Sequence, residues 1–125
     1  MFNILFSVFL YIFSSMAYAI EIICEVEYGS SVTSLQPVVS FDPYEITKID
    51  LPGNFRFSAQ YLLGAEKLKT FVYHHAKERY VLIHAAEYRV EKNNCGKYEQ
   101  GFGLNRVYSA ELESEFLFQC RSLCR

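Results

Sequence analysis

The chain has 125 residues, with 12 basic and 14 acidic side chains, a formal net charge of −2 and no Trp. Every charged residue falls after position 19, and no run of one sign reaches five, so neither a nucleic acid nor an anionic membrane surface is indicated as a partner. This length accommodates one small domain with a single core and is too short for two.

Residues 1–19 carry an apolar run (Ile4, Leu5, Phe6, Val8, Phe9, Leu10, Tyr11, Ile12, Phe13) that ends in Ala17-Tyr18-Ala19. This is the pattern of a secretory signal peptide with an A-x-A cleavage site, its positive end supplied by the terminal amine. The run is about ten residues, short of the roughly 20 that a membrane-spanning helix needs. Residues 20–125 are therefore expected to form a single β-rich exported domain, periplasmic or secreted, with no stable membrane insertion. Cys24 follows Ile23 rather than a small residue, which argues against a lipid anchor at that cysteine.

Residues 20–28 alternate, with Ile20, Ile22, Cys24, Val26 and Tyr28 on one face and Glu21, Glu25 and Glu27 on the other. The pattern predicts a strand with one wet face. Gly29-Ser30-Ser31 turns the chain into a strand over 32–39, where Pro37 removes a ladder donor and predicts an edge strand or a broken one. Phe41-Asp42-Pro43-Tyr44 reads as a turn, residues 45–51 as a short strand, and Pro52-Gly53-Asn54 as a tight turn. Phe55, Phe57, Ala59, Tyr61 and Leu63 then alternate with Arg56, Ser58 and Gln60, predicting a second strand buried on one side.

Residues 68–75 and 80–90 are predicted to form a long hairpin around the charged loop Ala76-Lys77-Glu78-Arg79. In that register His75 opposes Tyr80, His74 opposes Val81 and Phe71 opposes His84. His74 and His75 then face opposite ways, while His75 and His84 share a face about 13 Å apart, so no two histidines can share a metal. Residues 93–103 are turn-rich, residues 104–108 read as a strand, 109–114 as a helical turn and 115–120 as a last strand.

Four cysteines in a small exported domain imply two disulfides, for which Cys24–Cys120 and Cys95–Cys124 are the expected pairs. Cys120 and Cys124 lack a second Cys or His pair to complete a tetrahedral zinc set, and neither a metal nor a cofactor is expected. No catalytic constellation stands out. A G-x-S-x-G motif is absent, the thiols are all accounted for, and the carboxylates Glu25/Glu27 and Glu111/Glu113/Glu115 read as solvated faces.

Phe and Tyr supply 15 of the 106 residues after position 19, a composition suited to half-buried sheets. The expected fold is all-β, a small antiparallel sandwich or flattened barrel of about seven or eight strands, with α+β as the alternative if a short helix forms near Glu111. The expected function is non-enzymatic binding of another exported protein, as an inhibitor, an immunity-type protein or an accessory factor. A small-molecule or lipid carrier with an aromatic-lined β cavity is the alternative. Candidate contacts are Tyr98 and Phe102 on the Gly-rich segment 94–105, and Tyr73 and Tyr80 on the hairpin. Competing expectations are that Tyr98 and Phe102 plug the open end of the fold, and that the face bearing Tyr73 is the core.

Overall fold

Alternation in the first strand, broken only at Ile23, produces the first buried layer. In the computed structural model, which describes residues 20–91, 100–110 and 113–124, β1 (Ile20–Tyr28) turns Ile22, Cys24 and Val26 fully inward. The chain continues through β2 (Ser31–Leu35), β3 (Val38–Ser40), β4 (Thr47–Leu51), a 3-10 turn (Pro52–Asn54), β5 (Phe55–Leu62), β6 (Lys67–Ala76), β7 (Arg79–Arg89), β8 (Gln100–Tyr108) and β9 (Glu115–Cys124). One sheet has the order β2-β1-β9-β8. The other runs β5-β6-β7, with β3 and β4 lying end to end along the free side of β5. No α-helix occurs among the described residues, so the fold is all-β. The signal segment 1–19, Tyr98, the Cys95–Cys124 pairing and the centre of the expected helical turn at 109–114 lie outside the described residues.

Among the described residues the strand count is nine rather than seven or eight, because Pro37 divides the segment read as one strand. Without an amide proton Pro37 cannot continue a ladder, and the two halves separate into different sheets. β3 also departs from the expected antiparallel pattern, since it runs parallel to β5. The reversal at residues 41–46 forces this. β4 is antiparallel to β5, so the strand on the other side of that turn must run the opposite way along the same edge. Val38 N donates to Thr47 Oγ1 at 2.9 Å where the two strands meet.

Two further boundaries move. β8 begins at Gln100 rather than at 104, with a register shift between Gly101 and Leu104 that absorbs the glycines into the strand, and β9 extends to Cys124. In the 3-10 turn Gly53 takes φ +79° directly under the Tyr28 ring, where a Cβ would collide with that ring. Only glycine meets both requirements.

The hairpin keeps its expected register from Ala76↔Arg79 to Tyr73↔Leu82, then slips by one, so that Val72 opposes His84 and Phe71 opposes Ala85. Ile83 is the extra residue of this bulge. The slip corrects the expected Phe71–His84 pairing and moves His84 to the inner face, the face that also carries buried His74, while His75 stays outside.

β5 is central in its sheet, and Ser58 and Gln60, expected on a wet face, are buried. The turn at residues 43–45 lies over Gln60, whose side-chain amide donates to the Pro43 and Glu45 carbonyls at 3.1 and 2.8 Å.

Between the sheets Phe55 and Phe57 of β5 meet Phe116 and Phe118 of β9, with centroids 5.2 Å apart for Phe55–Phe116 and 5.1 Å for Phe57–Phe118. Tyr61 is fully buried and its hydroxyl donates to the Val90 carbonyl, which satisfies both groups. Burial, with a smaller contribution from Glu66, raises the Tyr61 phenol above its ordinary value. Cys24 and Cys120 oppose each other on β1 and β9 and form the expected disulfide across 96 positions of sequence.

Thr70 Oγ1 and His84 Nδ1 are buried without a hydrogen-bond partner. Thr70→Val exchanges the orphaned hydroxyl for a methyl of nearly equal size. Urea unfolding should show a change from near neutral to about 1 kcal/mol of added stability. A loss above about 1 kcal/mol would show that the hydroxyl has a partner.

Candidate functional site

The outer face of the β5–β7 sheet gathers the aromatic and basic residues of four strands. Register places Asp50 beside Arg56, Arg56 beside Tyr73, and His75 beside Tyr80. Arg56 Nε donates to Asp50 Oδ1 at 2.6 Å and its Nη2 to Oδ2 at 3.1 Å, a fork that fixes the guanidinium plane. That plane lies 3.8 Å over the Tyr80 ring, and His75 meets the same ring edge-on at 4.9 Å. The Arg56 hydrogen bond, and secondarily its charge and that of Lys48, hold the Asp50 carboxyl below its ordinary range. The same bond raises Arg56 further. Both groups are therefore charged across the physiological range. The partners hold Arg56, Tyr80 and His75 in a defined arrangement, so less side-chain freedom remains to be lost on contact with another molecule.

Beside this face stands the turn at residues 41–46. Ser40 Oγ accepts from Asp42 N at 2.9 Å, Asp42 Oδ1 accepts from Tyr44 N at 2.9 Å, and Glu45 N donates to the Asp42 carbonyl at 3.2 Å. These short-range bonds are the reason Ser and Asp occur where they do in such a turn. The turn holds Phe41 73%, Tyr44 92% and Ile46 37% exposed. None of the three was singled out by the sequence analysis, which took Phe41 to Tyr44 only as a turn. The available signal was two aromatic residues within a four-residue turn around a proline, where no strand alternation provides an inward face.

Of the residues proposed from sequence, Tyr73 and Tyr80 come together and line one concavity with Ile46, Lys48, Arg56 and Ser58. The face bearing Tyr73, His75, Tyr80 and Leu82 is thus the outer one, and the core lies on the other side. Phe102 sits elsewhere. It is half-buried against the core, its ring 5.1 Å from Tyr88, and Asn105 Nδ2 reaches the Tyr88 hydroxyl at 2.8 Å close by.

Of the carboxylates considered from sequence, Glu25 and Glu115 are engaged at the surface. Glu25 lies 4.0 Å from Arg121 and 3.5 Å from Gln119, while Glu115 contacts Arg106 at 3.2 Å and the Tyr108 hydroxyl at 2.9 Å. Among the described residues no cluster of three or more His, Cys, Asp or Glu could hold a metal ion. Nor, among them, is any helix long and apolar enough to cross a membrane.

These features define a two-sheet all-β domain tied by the cross-strand Cys24–Cys120 disulfide, with an aromatic and basic outer face. Comparison with protein-family models, curated proteins and solved structures finds no match for this chain.

Proposed function

We propose that this chain is an exported, non-enzymatic module that binds another exported protein through the 41–46 turn and the adjoining outer face of the β5–β7 sheet. The observation that carries the proposal is the pair Phe41 and Tyr44, standing 73% and 92% exposed on a turn braced by its own hydrogen bonds. Large rigid aromatics presented to solvent, next to tyrosines and a fixed arginine, have the composition of binding hot spots. Export is supported by the A-x-A pattern at residues 17–19, and the disulfide is compatible with an oxidising compartment. The carrier alternative needs space between the sheets. That space is occupied by Phe55, Phe57, Tyr61, Phe116 and Phe118, which favours a protein partner over an internal ligand.

The test is affinity capture of the tagged protein from periplasm and medium without reductant, read by mass spectrometry, comparing wild type with Phe41→Ser/Tyr44→Ser. One dominant protein, lost in the variant while thermal stability stays unchanged, is the expected outcome. Tyr98→Ser/Phe102→Ser forms the second arm. Loss of the partner only in that arm would transfer the site to the 94–105 segment, and equal capture by all three would overturn the proposal.

A further inference from the structure

The concavity of about 280 Å³ on the outer face is floored by Ser58 and walled by Ile46 and Lys48 before and on β4, Arg56 on β5, Tyr73 on β6 and Tyr80 on β7. Its shape follows from residue size. Ser58 is the short member of a cross-strand row between Lys48 and Phe71, so the larger neighbours stand above it. Ser58 is only 3% exposed, so a group reaching the floor leaves most of its water behind.

The wall chemistry is one-sided. Arg56 is committed to Asp50 through two hydrogen bonds and serves as a fixed wall. Lys48 makes no ion pair within 4.0 Å among the described residues, although its charge also acts on Asp50. The ammonium, the guanidinium and the Asp50 carboxylate sum to +1 beside the pocket, against −2 for the whole chain. The Ser58, Tyr73 and Tyr80 hydroxyls add donors that can turn toward an anion.

Resting on the protein-binding proposal, we infer that this concavity is a carboxylate-accepting pocket that takes an aspartate or glutamate side chain of the bound protein. The carboxylate is held by Lys48 and the phenolic hydroxyls, while Phe41 and Tyr44 contact apolar groups beside it. A lysine at that position of the partner would face Lys48 and be repelled, and a glutamine would lack the charge to compensate it. The pocket thus supplies selectivity and the exposed turn supplies contact area.

The probe is N-acetyl-glutamate amide, titrated into the isotope-labelled protein with N-acetyl-glutamine amide as control, following backbone amide shifts. The glutamate probe should move the Lys48, Ser58, Tyr73 and Tyr80 amides and saturate in roughly the millimolar range. Lys48→Gln, a surface change that leaves the core intact, should weaken it about two- to fivefold. Added salt should weaken it too. Equal response to both probes, no response, or an unchanged titration in Lys48→Gln overturns the pocket. If capture is lost in Phe41→Ser/Tyr44→Ser while the glutamate probe gives no response, the pocket falls and the protein-binding proposal stands. If the glutamate probe binds but no protein is captured, the inference of a protein side chain as occupant falls with that proposal.

Discussion

Replacing Cys24 and Cys120 together by alanine should lower the unfolding free energy by up to about 4.7 kcal/mol, the loop-closure entropy of a cross-link spanning 96 positions. The loss arises mainly in the unfolded chain. In the folded state β1 and β9 remain joined along nine residue pairs from Ile20↔Cys124 to Tyr28↔Phe116, so the native topology survives the substitution. The two alanines still point inward between the sheets, where Cys24 is fully buried, and a small packing loss adds to the entropic one. Urea unfolding of wild type and the double variant, both without reductant, checks this. The variant's curve should fall well below that of the wild type, and a shift smaller than about 1 kcal/mol would place the cross-link outside the unit that unfolds cooperatively.

Phe57→Ala is expected to cost about 3 to 5 kcal/mol, since it removes a fully buried ring and leaves a cavity that its neighbours cannot close. Those neighbours are rings too. Phe116 and Phe118 lie 6.1 and 5.1 Å from Phe57, and Phe118 also meets His84 at 5.6 Å, so the contact joins β5 to β9 and then to β7. Against a total stability of roughly 5 to 15 kcal/mol for a domain of this class, the variant should be partly unfolded at physiological temperature. Phe41→Ala, at a residue 73% exposed, should change stability by less than about 0.5 kcal/mol. Thermal melts of the two variants give the comparison. Similar losses in both would contradict the assignment of Phe57 to the core and Phe41 to the surface.

Much of the first layer was legible because its signals are local. The alternation through Ile22, Cys24 and Val26 assigns an inward face without reference to the rest of the chain, and Cys24–Cys120 follows from placing the first strand beside the last. Tyr73 and Tyr80 were chosen together from the hairpin register, and they share one concavity in the structure. The same register failed four residues beyond Tyr80. A bulge at Ile83 leaves no mark in a run as uniformly apolar as Val81-Leu82-Ile83, and one extra residue exchanges the faces of everything after it, which carried His84 inward. Phe102 illustrates another limit, because its neighbour Tyr88 belongs to a strand of the opposite sheet.

Residue order alone indicated the all-β class, the inward faces of β1 and β5, an edge or a break at Pro37, and Cys24–Cys120 as the favoured pairing of the first strand with the last. Periodicity, proline's missing donor and cysteine parity act over a few residues or over the whole count, and need no partner coordinates. Assembly of the sheets decided the rest: the parallel run of β3, the cover over Gln60, the inward turn of His84 and the meeting of Arg56, Tyr73 and Tyr80 beside the 41–46 turn. Each of these depends on which strand lies next to which, and packing of distant segments settles that through side-chain volume and backbone pairing rather than through any pattern within one segment.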